Sequence, residues 1–375
     1  MTASEMKKLL DDDFKKMSEM SVQEYTLYRK WEEVNEKEWT PSELNDIYLT
    51  KKSIWKPSTP EDYLKLKPVI VFAEGTRSRI WTTLRIFIST MHWNASPGRL
   101  LRFYIMDSVT NTYLGVISLA SDFLALGGRD SYIGWTRDQR INDHMINHTG
   151  MGSSIVPTQP LGFNYTGGKL MSLLLLSDVI QKTWNDKYDD VLAGITTTSL
   201  YGGYSQYNRL RYWHKCNSTE GAIPIEPSDE VYKQVIEWVK NNCKREYDEL
   251  QEKKISSKTG KAQPKSHPKA KILSVACTKL KVNATKNNFS RGVYFAKLYD
   301  NTSDFLCKRT DKLGNKLFDN SVEALTNLWK ERYAANRVKN VLENNTYNSD
   351  ILYYDEMIGM TFEEVKEKYM EGVGR

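Results

Sequence analysis

Three groups of residues between positions 129 and 221 have types and spacing that can do chemistry. The first is Thr166-Gly167-Gly168-Lys169, between an extended run (Ser153 to Pro157) and an apolar helix expected from Leu170 to about Trp184. Glycines at a helix N-terminus let a ligand approach first-turn N–H groups that have no partner within the helix. The peptide dipoles favour negative charge there, and a lysine adds a cation. That combination suits an anion or a pyrophosphate. The second group is the hydroxyl run Thr196-Thr197-Thr198-Ser199, which ends a strand expected over Asp190 to Thr197 and leads into Tyr201-Gly202-Gly203-Tyr204. Four hydroxyls before a Gly-Gly turn suit a ligand crevice at a strand's carboxyl end better than they suit a core. Thr197, Thr198 and Ser199 are candidates for substrate contact. Tyr201, Tyr204 and Tyr207 can stack on bases, and Gln206 and Asn208 can read a base edge. The third group is Arg129-Asp130 with Trp135. It is either a substrate-facing pair or an ion pair that staples a strand end, with Trp135 in the core.

Other chemistry is poorly provided for. His144 and His148 stand four apart, as two ligands on one helix face would, but no third ligand and no intervening glutamate accompany them. The cysteines (216, 243, 277 and 307) form no CxxC pair, which reads as scattered reduced thiols rather than a zinc site. No nuclease spacing of the PD-(D/E)xK or HNH kind is present.

These groups need elements to hold them. Pro68 to Phe72 reads as a buried strand, Arg79 to His92 as a helix, and Leu100 to Ser121 as a hairpin turning at Asn111 and Thr112. A second helix is expected from about Ser205 to Lys215, after the Tyr/Gly turn. Upstream, residues 1–67 form a helical N-terminal arm, with capping patterns at Ser21/Glu24 and at Thr40-Pro41-Ser42-Glu43. Lys and Glu alternate there, as on solvated helices. Residues 68–227 form the core, and residues 228–271 a helix followed by a basic linker. In that linker, Glu252 to Lys271 holds seven lysines, one acid and two prolines. Such a segment is a solvated linker or a phosphate contact. Residues 272–375 supply C-terminal strands and helices that complete or flank the core. Ile272 to Val282 and Gly292 to Leu298 read as strands, Asp319 to about Glu343 as an amphipathic helix, and Thr361 caps a last helix.

The formal net charge of +6 is compatible with nucleic acid. The longest apolar run, Leu170 to Leu176, is far short of the roughly 20 residues of a membrane span. A cytoplasmic protein with no membrane partner is expected.

Beyond Tyr113 the residues resemble the DruA family of the Druantia anti-phage system. Leu114-Gly115-Val116-Ile117 matches its "lGai" strand. Arg129-Asp130 with Ile133-Gly134-Trp135 and a following Arg140 matches its "RD-x-x-IGW" segment. Trp213, Thr219 and Gly221 match its end motif, and Gly98-Arg99 a "GR" before the hairpin. The resemblance implies a role in phage–host conflict.

In element order the stretch is also similar to the GNAT-type acyltransferase superfamily, and through it to phage Mom-type DNA-modification proteins. The fold implied is an α/β, GNAT-like mixed sheet flanked by helices. The loop Thr166 to Lys169 would hold acyl-CoA or a related acyl donor. DNA or nucleotides would be the acceptor. Acyl transfer needs a base for the amine, donors for the oxyanion and an acid for the leaving thiolate. On that reading Asp130, His144 or His148 is the base and Tyr207 or Tyr212 the acid. Backbone N–H groups beside a splayed strand near Val156 polarise the carbonyl. Arg129, Trp135 and the hydroxyl and Tyr/Gly residues line the acceptor. The rival reading keeps the fold without catalysis, as a nucleic-acid-binding module.

Overall fold

Seven strands form one mixed sheet, with helices packed against both faces. The computed structural model describes residues 1–92, 98–199, 205–218, 223–255, 262–264, 268–283, 286–287, 291–348 and 351–372. The strands of the sheet are β1 (Pro68–Phe72), β2 (Leu100–Asp107), β3 (Thr112–Ser121), β4 (Thr149–Pro157), β5 (Gly194–Ser199), β6 (His214–Ser218) and β7 (Gly292–Lys297). Across the sheet they run β1-β2-β3-β4-β5-β7-β6. Neighbours are antiparallel except β4 and β5. The expected hairpin is β2–β3. Asn111 turns it in the left-handed region at φ 54°, and the Asp107 carboxylate accepts from the Thr110 N–H at 3.0 Å. The mixed α/β sheet flanked by helices is therefore the architecture the sequence implied.

Side chains on the strands alternate between two cores, as the two-residue period of a strand requires. Leu101, Phe103, Ile105, Ile117 and Leu119 face one core, together with Ile195 and a run of leucines. Helices α1 (Ala3–Glu19), α2 (Val22–Asn35) and α3 (Pro41–Lys52) precede β1, and α4 (Ser78–Ile88) follows it. Trp81, Leu84, Phe87 and Ile88 of α4 cover the other face at Tyr104 and Val116. α5 (Gly127–Ile133) lies between β3 and β4. Three helices separate β4 from β5: α6 (Gln159–Tyr165), α7 (Gly167–Leu174) and α8 (Asp178–Tyr188).

Three expected elements take a different form. The apolar run read as one helix from Leu170 to Trp184 is α7 and α8. The chain turns at Leu175–Leu176, and the Ser177 hydroxyl caps α8 by accepting from Ile180 N–H at 3.4 Å. Residues 205–213 form turns, not a helix. Arg209 (φ 56°) and Tyr212 (φ 75°) sit in the left-handed region, which side chains rarely adopt within a helix. Of residues 272–282, read as a strand, those up to Leu280 lie in a helix.

α11 (Pro268–Leu280) packs with α9 (Asp229–Asn242), and α10 (Lys244–Gln251) lies between them in the chain. Ile272, Ala276 and Leu280 recur at helical spacing and join Val235, Trp238 and Val239 of α9 with Met6, Leu10, Phe14 and Met17 of α1. The N-terminal helices are thus packed and not a free arm. After β7 come α12 (Thr302–Leu306), α13 (Val322–Trp329), α14 (Ala335–Glu343) and α15 (Phe362–Tyr369). The helix expected over 319–343 is α13 and α14, joined by a π turn at Lys330–Ala334. α15 carries the expected Thr361/Glu364 capping box.

Candidate functional site

β4 and β5 pair from Thr149↔Gly194 to Met151↔Thr196, and there the pairing stops although both strands continue. The wedge beyond Met151 is the place for a ligand between parted parallel strands. Here the chain's own side chains fill it. Thr197 Oγ1 donates to the Gly152 carbonyl at 3.0 Å, and Gln206 Nε2 donates to the Ile155 carbonyl at 3.1 Å. Tyr207 is buried beside them, with its Oη 3.2 Å from Gln206 Nε2 and 3.4 Å from Thr197 Oγ1. Burial raises the Tyr207 phenol above its ordinary range.

The glycine loop is closed by the same turn. A Cβ on Gly168 would lie 2.2 Å from Gln206 Oε1, and one on Gly167 would lie 2.7 Å from Leu161 Cγ. Lys169 Nζ donates to the carbonyls of Gln206 (3.0 Å) and Asn208 (2.7 Å), and burial brings its pKa down to about 8. Thr166 ends α6 in the left-handed region, and its carbonyl accepts from Trp329 Nε1. The glycines therefore make room for protein, and the lysine caps a turn. These residues do not fit the pyrophosphate of an acyl donor in this conformation.

Asn208 Oδ1 accepts from Tyr294 Oη at 2.7 Å, and Tyr212 stacks on Phe318 with centroids 3.7 Å apart. Gln206, Tyr207, Asn208 and Lys169 are thus brought together with Thr197, but around packing. Thr198 is half-buried on β5 and Ser199 buried opposite Gly292. Tyr201 and Tyr204 lie outside the described residues, as do Thr219 and Gly221.

Asp130 sits in a different network, anchored on α5. Its Oδ1 accepts from Arg129 Nε (2.9 Å), Arg129 Nη2 (2.6 Å) and Trp135 Nε1 (2.9 Å). Its Oδ2 accepts from Leu126 N–H (2.9 Å) and Arg140 Nη1 (2.7 Å). Arg129 is fully buried and also meets Asp122 at 2.6 Å, while Asp122 accepts from Thr196 Oγ1 at 2.6 Å. Five donors use the lone pairs of Asp130, which leaves no site from which to take a proton. Of the two readings of Arg129-Asp130, the geometry is that of the ion-pair staple, with Trp135 buried against it. His144 is exposed in the turn before β4, at the opposite end of that strand from the wedge. His148 follows in the same 3-10 turn, its Nδ1 2.8 Å from the Val191 carbonyl. No metal-binding group of three His, Cys, Asp or Glu residues occurs among the described residues.

The charged residues that sequence reasoning missed lie on α2. Arg29 Nη1 donates to Glu32 (2.7 Å) and to the Pro227 carbonyl (3.1 Å). Lys30, fully buried, meets Glu33 at 2.8 Å, and Arg85 meets the other Glu33 oxygen at 3.0 Å. Burial lifts Glu32 to about 7, with Arg29 opposing. Burial would lift Glu33 too, but Lys30 and Arg85 hold it down at about 2. His92 is pushed down to about 4 by burial and then by Arg29. The signal was the mixture of Leu27, Tyr28 and Val34 into the charge run, which a solvated helix lacks.

Fold and site together define an α/β protein built on a mixed sheet whose one parted strand pair is closed by its own chain. The family profile described as Druantia protein DruA matches residues 13–308, and the chain belongs to the DruA family. Membership implies a role in anti-phage defence. No curated protein and no solved structure matches. Several motif residues now have structural duties. A Cβ on Gly115 would meet the Val156 carbonyl at 2.5 Å, Gly134 ends α5 at φ 84°, and Trp213 Nε1 donates to the Ser172 carbonyl. Among the described residues, no helix is long and apolar enough to cross a membrane.

Proposed function

We propose that this DruA-family chain acts in anti-phage defence by binding nucleic acid through the β6 edge of its sheet. The observation that carries the reading is a cationic, aromatic margin. His214 is exposed on β6 and stacks on Tyr132 at 4.1 Å and 13°, with Lys297 Nζ 4.8 Å from the tyrosine ring. Arg209 and Arg211 are exposed in the turn that leads into β6, and Lys215 is exposed on the strand itself. No Asp or Glu lies between Asp190 and Glu220 to offset them. Cations with stackable rings on one margin suit a single strand, whose phosphates and bases they engage together. Edge charge alone also deters sheet-to-sheet pairing; the stacked ring pair is what that purpose leaves unexplained.

A salt-dependent titration against single-stranded and duplex oligonucleotides tests this. Arg211→Ala with Lys215→Ala should lower affinity and reduce the log–log salt slope by about two. His214→Ala should cost about 1–3 kcal/mol on single strands and leave the slope unchanged. Absence of binding at low salt would end the proposal. The rival, an acyltransferase-like enzyme modifying DNA bases or nucleotides, is favoured by one observation, the parting of β4 from β5. It requires Gln206 and Tyr207 to leave the wedge. A new nucleoside mass in digested DNA from expressing cells, lost on Gly168→Asp, would reinstate it.

A further inference from the structure

The capping sequence Thr40-Pro41-Ser42-Glu43 does more than start α3. Glu43 Oε2 accepts from the Thr40 N–H (3.0 Å) and from Thr40 Oγ1 (2.9 Å), so the cap fixes the carboxylate. The other oxygen, Oε1, is left for a cation and accepts from Lys37 Nζ at 2.7 Å. The Lys37 and Thr40 hydrogen bonds hold the Glu43 carboxyl down at about 2, so it is charged at neutral pH. Lys37 Nζ also stands 4.3 Å from the centre of the Trp39 ring. That ring is set in place by its Nε1, which donates to the Val34 carbonyl at 2.7 Å. A fixed carboxylate beside a fixed indole is a seat for an ammonium group. Three residues further along α3, Asp46 holds a second cation. Arg79 reaches it from the start of α4 and donates from Nη2 to Ser42 Oγ at 2.7 Å.

Between α3 and α4 lies a groove of about 440 Å³, a volume that takes a small molecule. Both carboxylates line it, and Trp39, Ile47 and Ile86 give it apolar walls. Arg79, Thr83 and Ile86 line it from α4 at spacings of four and three, which puts them on one helix face with Thr83 in the middle. Thr83 is only 7% exposed, and its hydroxyl makes no hydrogen bond among the described residues. Thr26, Thr82, Thr183 and Thr326 show the usual arrangement, each donating to the carbonyl four residues back in its helix. Thr83 does not, and a buried hydroxyl without a partner at the wall of a cavity calls for one. The two cations now in the groove are held loosely. Lys37 and Arg79 are exposed side chains, and exposed ion pairs contribute little to stability. A ligand ammonium that replaces either one leaves no carboxylate unpaired, because the displaced side chain turns into water.

We propose that the groove between α3 and α4 binds an aliphatic polyamine. One terminal ammonium takes the place of Lys37 on Glu43 and Trp39, and the other takes the place of Arg79 on Asp46. The methylene chain lies along Ile47 and Ile86, and an inner amine donates to Thr83 Oγ1. This site is independent of the nucleic-acid reading, which rests on the β6 margin.

Isothermal titration calorimetry of the full chain with spermidine, in the absence of nucleic acid, tests the proposal. Saturable binding is expected. Butylamine has one charge and Mg²⁺ has no alkyl chain; at matched ionic strength each should bind about tenfold more weakly or worse. Glu43→Gln keeps the cap, because glutamine serves at that position, and should weaken spermidine about tenfold through the lost charge. Thr83→Val keeps the shape and should weaken it about fivefold, the scale of one hydrogen bond. Lys37→Gln empties the first seat and should tighten binding about two- to fivefold, the scale of one exposed ion pair. Arg211→Ala with Lys215→Ala removes two cations elsewhere and should leave spermidine affinity unchanged. That pair separates emptying the seat from a change in net charge, and lets this site and the β6 reading fail independently. Should Thr83→Val fail to fold, the two surface variants Glu43→Gln and Lys37→Gln carry the comparison. Absence of saturable binding, equal affinity for spermidine and butylamine, or an affinity unmoved by Glu43→Gln would overturn the site.

Discussion

Asp130→Asn separates a structural from a chemical role for a carboxylate that accepts from five donors. The substitution keeps shape and one oxygen. Placed to keep Arg129 and Trp135 satisfied, the new amide turns its NH2 toward the Leu126 N–H and Arg140 Nη1, which now donate to Oδ2. Two hydrogen bonds to a charged acceptor are lost, each worth about 1.5–3 kcal/mol. Arg129, fully buried, is left with Asp122 as its carboxylate. Breaking one side of a buried pair costs about 3–5 kcal/mol, and the two lost hydrogen bonds are part of that cost. A destabilisation of about 3–5 kcal/mol is expected, a large part of a typical domain's 5–15 kcal/mol. Urea unfolding followed by circular dichroism reads it as a lower midpoint at unchanged slope. A loss below about 1 kcal/mol would refute the reasoning, because buried networks of this kind exceed that when broken. If the variant kept its stability and lost function, Asp130 would return as a candidate base.

Further outcomes follow from the packing. Gly168→Ala puts a methyl onto Gln206 and should cost about 1–3 kcal/mol by overpacking, part of it recovered in a Gly168→Ala/Gln206→Ala double mutant measured by the same urea titration. Gly115→Ala meets the Val156 carbonyl and Pro157 Cα as well as Met171 Sδ, so truncating Met171 alone should not rescue it. Glu33 ionises at about 2 in the folded chain and near 4.5 unfolded, so the unfolded chain binds more protons between those values. Its contribution is full above pH 4.5 and is lost as pH falls toward 2; Glu33→Gln should flatten that acid limb. Glu32 runs the other way: its folded pKa of about 7 makes stability fall as pH rises from 4.5 to 7, and Glu32→Gln should remove that slope. Burial pushes the Cys216 thiol up to about 12, so it should react far more slowly with Ellman's reagent at pH 8 than in the denatured chain.

The strands were legible because their signals are local. PVIVF, the hairpin around Asn111 and GVYFAK each carry a strand period or a turn residue that the structure uses. The helices were harder where pattern and chemistry competed. Leu173 to Leu176 hid a break that only the Ser177 cap reveals. The stretch 268–280 has Ile, Val and Leu in strand-like density, yet its buried positions recur every four residues. The glycine loop shows the limit of motif reading. Gly167, Gly168 and Lys169 have the composition of an anion cradle, and whether a helix end faces a ligand or a neighbouring turn is decided by residues 37–39 positions away in sequence. The α2 cluster was invisible for a similar reason, since Glu33 meets Arg85 across 52 positions.

The seam between α2 and the far end of the chain has a consequence for how the protein is made. Leu27 and Val34 pack against Met357, Val365 and Tyr369, and Asn35 donates to the Met357 carbonyl 322 positions later. At roughly 5–20 residues per second, translation leaves that apolar face of α2 uncovered for about 16–64 s after it emerges. During that interval the nascent chain offers a greasy stripe to chaperones or to other nascent chains. A polypeptide released before residue 351 keeps the partners of α1 and leaves this face of α2 without its lid.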